Sequence, residues 1–179
     1  MNEINLILVG FMGTGKSTIG RLAADRLGYA YRDSDQEVER ATGMTIPEIF
    51  AEKGEDFFRD KETAVLHKLL RNNRQVISTG GGSVLREENR RLMLEHGVVA
   101  ELIASKETII RRVSKDRNRP LLAGDVRERV AALLTQRAGA YAFAHHHLET
   151  DGYAPEDVVE LLLSRLPIGQ SSGGETDRP

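Results

Sequence analysis

The chain has 179 residues, a formal net charge of −2, no cysteine, 40% hydrophobic and 29% charged residues. That is the size of one soluble globular domain, able to bury about 70% of the surface its unfolded chain would expose. The lack of Cys excludes disulfides and thiolate chemistry and suits a reducing cytosol, and the acidic balance argues against a general nucleic-acid binder. No apolar run approaches the ~20 residues of a membrane span, and Met1-Asn2-Glu3 lacks the basic start of a signal peptide. A cytoplasmic protein with neither nucleic acid nor membrane as partner is expected.

In chain order, the apolar run Asn5–Val9 predicts a strand, and Lys16–Leu27 predicts a helix. Between them stands Gly10-Phe11-Met12-Gly13-Thr14-Gly15-Lys16-Ser17-Thr18, which has the G-x-x-x-x-G-K-[ST] spacing in its expected strand–loop–helix setting. Glycines let the backbone wrap a phosphate chain, and a helix N-terminus favours anionic oxygens. Gly13, Thr14, Gly15, Lys16, Ser17 and Thr18 are therefore candidate nucleotide contacts. Lys16 would reach the β- and γ-phosphates, and the Ser17 hydroxyl would ligate Mg²⁺. A Gly-rich turn without a ligand is the plainer alternative, but it does not need the full spacing.

A second strand is predicted at Ala30–Asp33 and a third at Val76–Thr79, with helices at Asp35–Ala41, Ile46–Lys53 and Glu55–Asn72 between them. Residues 36–75 far exceed the ~10–12 that a minimal crossover needs, and extra helices of this kind usually build a second binding wall. The third strand runs into Gly80-Gly81-Gly82 with no Asp at its end. The carboxylates available beside the loop are therefore those of Asp33-Ser34-Asp35. One would hold Mg²⁺ through water, while the other accepts a substrate hydroxyl proton. Helix capping is the alternative, since Asp and Ser favour N-cap positions; beside a phosphate loop, function is favoured. Gly80, Gly81 and Gly82 would expose N–H groups to a small ligand, where a simple turn would need fewer glycines. Arg59 lies one helical turn from Glu55 and Glu62. Spacing alone favours a surface ion-pair set, while the alternative is a bidentate clamp on a substrate carboxylate.

The second half predicts helices at Arg86–Glu95, Lys106–Val113, Val126–Ala144 and Pro155–Leu166, and strands at Val98–Leu102 and His147–Glu149. Lys106, Arg111, Arg112, Lys115, Arg117 and Arg119 form a local basic excess. It reads either as a solvated face or as phosphate ligands on a loop that closes over an anion. Adjacent side chains on a strand alternate in direction, so His145-His146-His147 cannot share one tetrahedral ion. Residues 167–179 read as a disordered tail. Alternating strands and helices predict an α/β protein with a parallel sheet.

Phe11-Met12-Gly13, Asp33-Ser34-Asp35, Gly54-Glu55 with Phe58-Arg59 and Glu62, Gly80-Gly81-Gly82, Arg119-Pro120-Leu121-Leu122, and Arg137 with Tyr141 occur in an order and spacing that resembles the shikimate kinases. The resemblance spans Ile4 to Leu166. It implies a three-layer P-loop fold whose five-stranded parallel sheet has order 2-3-1-4-5, with helices on both faces. It implies one kinase domain over residues 1–166, a substrate-binding insertion at 34–62 and a mobile lid at 112–124. The implied reaction is ATP transfer to the 3-hydroxyl of shikimate with Mg²⁺, with a monomer acting alone. Asp35, Arg59, Gly80, Gly81, Gly82 and Arg137 would hold shikimate, with Arg59 and Arg137 on its carboxylate. Ser17 and Asp33 would serve Mg²⁺, Arg112 would join the nucleotide contacts, and Lys16, Asp35 and Arg119 would be the catalytic set. The resemblance gives no adenine contact in Asp151-Gly152-Tyr153-Ala154-Pro155. A kinase of another polyol acid such as gluconate, or an idle nucleotide-binding module, are the rival readings.

Overall fold

The computed structural model describes residues 4–114 and 125–167. Its centre is β1 (Asn5–Val9), all five residues of which are buried. Strand alternation sends Leu6 and Leu8 into one apolar cluster and Ile7 and Val9 into another. A strand apolar on both sides needs helices over both faces of its sheet. Five strands run parallel in the order β2 (Ala30–Asp33), β3 (Gln75–Ser78), β1, β4 (Gly97–Ile103) and β5 (His146–Glu149). This is the order that the resemblance implies.

On the Leu6/Leu8 side, α1 (Lys16–Leu27) contributes Ile19, Ala23 and Ala24, and α8 (Pro155–Ser164) contributes Val158, Val159 and Leu162. On the opposite side, Val38 comes from α2 (Ser34–Thr42), Ile49 from α3 (Ile46–Glu52), Leu66 from α4 (Gly54–Leu69) and Met93 from α5 (Glu87–His96). A third cluster sets Phe11 and Met12 against Ile109 and Val113 of α6 (Lys106–Val113) and Val130 of α7 (Val126–Gln136). The phosphate loop is thus packed from behind by α6 and α7.

Two helices, α4 and α7, stop three or more residues short of the bounds that periodicity predicts. α4 ends at Leu69 rather than Asn72, because the chain must turn back into β3. Side chains satisfy the freed carbonyls there. The fully buried Asn5 donates to the carbonyls of Asn72 at 2.7 Å and His96 at 3.2 Å, and Gln75 Nε2 donates to that of Leu69 at 2.8 Å. α7 ends at Gln136 rather than Ala144, and successive turns follow, with Gly139 at φ 75°. That early stop takes Arg137 and Tyr141 off the helix and buries both. The predicted closing segment, 112–124, extends from residue 115 outside the described residues, and Arg119 with it. So do residues 168–179 of the predicted tail.

Candidate active site

The site lies at the carboxyl ends of β1, β2 and β3. After Val9 the chain enters the phosphate loop, where Gly13 has φ 76° and Gly15 has φ 97°. Gly15 is the N-cap of α1 and offers no side chain to its first amides, and the first turn of α1 carries no acidic residue. The orphan N–H groups and the positive helix end are left for an anion. Lys16 folds back over the loop, and its Nζ donates to the carbonyls of Gly10 at 2.9 Å and Phe11 at 2.8 Å. Thr14 Oγ1 donates to the Phe11 carbonyl at 2.8 Å and locks the turn. Arg112, from the end of α6, donates to the Gly13 carbonyl at 2.8 Å. A cavity of about 380 Å³ runs over these residues and includes Thr18, Asp33, Asp35, Thr150, Tyr153 and Pro155 in its walls.

Asp33 does both things that its position allows. Its Oδ1 caps α2, accepting from the amides of Asp35 at 3.1 Å and Gln36 at 3.4 Å. Its Oδ2 accepts from Ser17 Oγ at 3.4 Å and from the Tyr31 hydroxyl at 3.2 Å. One hydroxyl and one carboxylate oxygen therefore face each other across the loop. That hard oxygen pair fits Mg²⁺, which takes one or two protein ligands and completes its shell with water and phosphate. Among the described residues no group of three or more His, Cys, Asp or Glu could hold a metal by itself. His145 Nδ1 instead accepts from the Val99 amide at 3.0 Å, and His147 Nδ1 lies 2.6 Å from Glu101 Oε2.

Beyond β3 the three glycines make room for charge. A Cβ built on Gly80 would lie 2.7 Å from Asp35 Oδ1 and 2.7 Å from Glu62 Oε1. On Gly81 it would lie 3.1 Å from Arg137 Nη1, and on Gly82 it would overlap Arg59 Nη2, with Cζ at 2.7 Å. Four charged side chains from three separate stretches thus close on one turn. Ser34 Oγ accepts from the Gly80 amide at 3.1 Å, and the Tyr141 hydroxyl donates to the Gly81 carbonyl at 2.6 Å. These two bonds fix the turn against α2 and against the chain after α7.

The ion pairs expected of Arg59 form, but around a buried guanidinium, with one partner exposed and the other fully buried. Arg59 Nη1 donates to Glu62 Oε2 at 2.8 Å, and Glu62 is fully buried. Nη2 and Nε donate to Glu55 Oε1 at 3.0 and 3.3 Å. Burial opposes the Arg59 charge, yet Glu62 and Glu55 outweigh it, and its pKa is raised. Burial pushes the Glu62 carboxyl up to about 7 against the pull of Arg59. Glu62 Oε1 has no hydrogen-bond partner among the described residues. Arg137 is also buried, 5.5 Å above the Phe11 ring, and its Nε and Nη1 have no hydrogen-bond partner among the described residues. A buried guanidinium with open donors beside Gly81 is poised for an anion, since leaving such donors unmet costs roughly 1–3 kcal/mol or more.

The structure therefore gathers Gly13, Thr14, Gly15, Lys16, Ser17, Thr18, Asp33 and Arg112 at the loop. It gathers Asp35, Arg59, Gly80, Gly81, Gly82 and Arg137 beside them. Arg119 lies outside the described residues. The sequence points to no role for Tyr31 or Tyr153, and for Ser34 only to helix capping. Glu62 stands there only as an ion-pair partner of Arg59, and Tyr141 only as a member of a pattern. The spacing of Glu62 from Arg59 is the one signal that points to it.

A family model for shikimate kinase matches residues 12–167. The chain is 46% identical over 163 residues to a shikimate kinase of Pelotomaculum thermopropionicum, covering 90% of this chain and 95% of that protein. It is 47% identical over 163 residues to one of Geobacter metallireducens, covering 90% and 91%. It superposes with a TM-score of 0.88 and 39% identity on a shikimate kinase of Acinetobacter baumannii solved in complex with shikimate, covering 91% of this chain and 92% of that one.

Proposed function

The chain belongs to the shikimate kinase family, and on that premise we propose how its own residues divide the work of moving the γ-phosphoryl group of ATP to the 3-hydroxyl of shikimate. The loop amides from Gly13 to Thr18, the Lys16 ammonium and Arg112 bind the phosphates and set the line of transfer. Arg119 joins them as a donor to the transferring group. Ser17 and Asp33 hold Mg²⁺, which neutralises phosphate charge when bound with the nucleotide. Arg137 and Arg59 grip the carboxylate of shikimate, and the glycine turn gives its ring a floor without side chains. Asp35 takes the hydroxyl proton as the oxygen–phosphorus bond forms and the bond from the γ-phosphorus to the β,γ-bridging oxygen breaks, releasing ADP. Positioning and charge supply most of the acceleration in such transfers.

Arg137 is the single observation that carries this reading: a buried cation with open donors. It asks for an anion, and a substrate carboxylate meets its fork. Arg137→Lys keeps the charge and loses the fork. Its KM for shikimate rises by roughly tenfold or more, at least about 1.4 kcal/mol, while KM for ATP stays within about twofold. Gluconate gives only background turnover with either protein. A parallel rise in both KM values would make Arg137 a structural brace and remove the carboxylate site.

A further inference from the structure

Three of the five N–H donors of Arg59 already meet carboxylates of the protein. Arg59 Nη1 faces the buried Glu62, and Gly82 packs flat against its guanidinium. The edge of Nε with Nη2 is one through which a guanidinium grips a carboxylate with two parallel donors. Both of those donors converge on one oxygen of Glu55, at 3.3 and 3.0 Å. Glu55 differs from Glu62 in every respect that governs exchange. Its side chain is 49% exposed against 0% for Glu62, and it stands in the first turn of α4, after Gly54 at φ 83°. An exposed carboxylate exchanges a protein cation for water at little cost, whereas a buried one does not.

We propose that Glu55 occupies the seat on Arg59 that the substrate carboxylate takes, and that shikimate binds by displacing it. This rests on the reading above that Arg59 is a carboxylate ligand. Glu55 then acts as an internal counter-ion. It keeps the Arg59 fork oriented and charge-matched between turnovers, and it withdraws into water when the substrate arrives. Arg59 is therefore a compensated cation, while Arg137 keeps open donors. The substrate carboxylate competes with Glu55 for each bond it makes to the Nε–Nη2 edge of Arg59. Affinity is lost by that competition, and release of the phosphorylated product is eased by it.

The test compares wild type with Glu55→Gln, which keeps the size and loses the charge. Calorimetric titration gives the affinity for shikimate and for its methyl ester, and steady-state rates give KM for shikimate and for ATP. The variant binds shikimate roughly two- to fivefold more tightly, the range that an ion pair with one exposed partner supplies. Its KM for shikimate falls, KM for ATP does not move, and the ester, which has no charge to compete, binds both proteins equally. Unchanged or weaker shikimate binding in the variant overturns the proposal and makes Glu55 a brace for Arg59. Equal tightening of the ester overturns it too. A wild-type protein that neither binds nor phosphorylates shikimate overturns the functional reading itself, an outcome that the comparison of variants does not produce.

Discussion

At the scale of single residues the site is a set of matched and mismatched charges, and Glu62 is the clearest case. It is fully buried, holds Arg59 with one oxygen and has a carboxyl pushed to about 7 from the ordinary 4.5 by burial. A carboxyl whose folded pKa is raised binds its proton more tightly in the native state than in the unfolded chain. Its contribution to stability is complete below pH 4.5 and is lost as the pH rises through about 7. Urea unfolding of the wild type between pH 5 and pH 8 carries this loss, and Glu62→Gln, which cannot ionise, flattens that part of the profile. An identical slope in both proteins would place the native Glu62 ionised throughout, as an ordinary partner of Arg59. The residue was only half legible in the sequence. Its spacing from Arg59 marks an ion pair, but the burial that raises its pKa involves Gly80, which comes from elsewhere in the chain and whose missing side chain lets Glu62 Oε1 approach. The phosphate loop, by contrast, is written in nine consecutive residues and needs no tertiary information.

At the scale of elements, local periodicity locates β1, α1, β2 and α6 to the residue and misjudges where α7 stops. The Ala-rich stretch after Gln136 favours helix by composition, and nothing in its spacing opposes one more turn. What ends the helix is Gly139 in the left-handed region, with the turns around it that send Arg137 inward and Tyr141 to the Gly81 carbonyl. An alanine there has open space around its Cβ and so meets no clash. The strain of a positive φ remains, about 1–2 kcal/mol. Gly139→Ala lowers stability by about that amount and the unfolding temperature by roughly 2–8 °C, on the scale of domains of this size; Gly139→Asn loses less, because Asn tolerates that backbone. Thermal unfolding of the two variants checks it. Equal losses, or none, would mean that the turn relaxes without its glycine. The end of α4 carries the same lesson. Asn5 reads as part of an apolar strand, yet its amide caps chain ends at residues 72 and 96 that no window around position 5 contains.

At the scale of the whole molecule, the resemblance implies a monomer acting alone. The protein of 19.9 kDa is expected to sediment as a monomer and to keep its turnover per chain on dilution. A dimer at assay concentrations, with activity falling on dilution, would refute this. No helix among the described residues is long and apolar enough to cross a membrane.

The strand order has a further consequence, for the birth of the molecule. β1 and β2 are consecutive strands in the chain but not neighbours in the sheet; β3 lies between them. β1 also needs β4 on its other edge, and four of its five residues are apolar and fully buried in the finished fold. Until the chain has been made as far as residue 103, the strand that carries the phosphate loop has an unsatisfied backbone edge and two greasy faces. Such non-local pairing slows folding and exposes the nascent chain to aggregation. The arrangement that puts the loop at the heart of the sheet therefore makes its own strand the longest to wait for company.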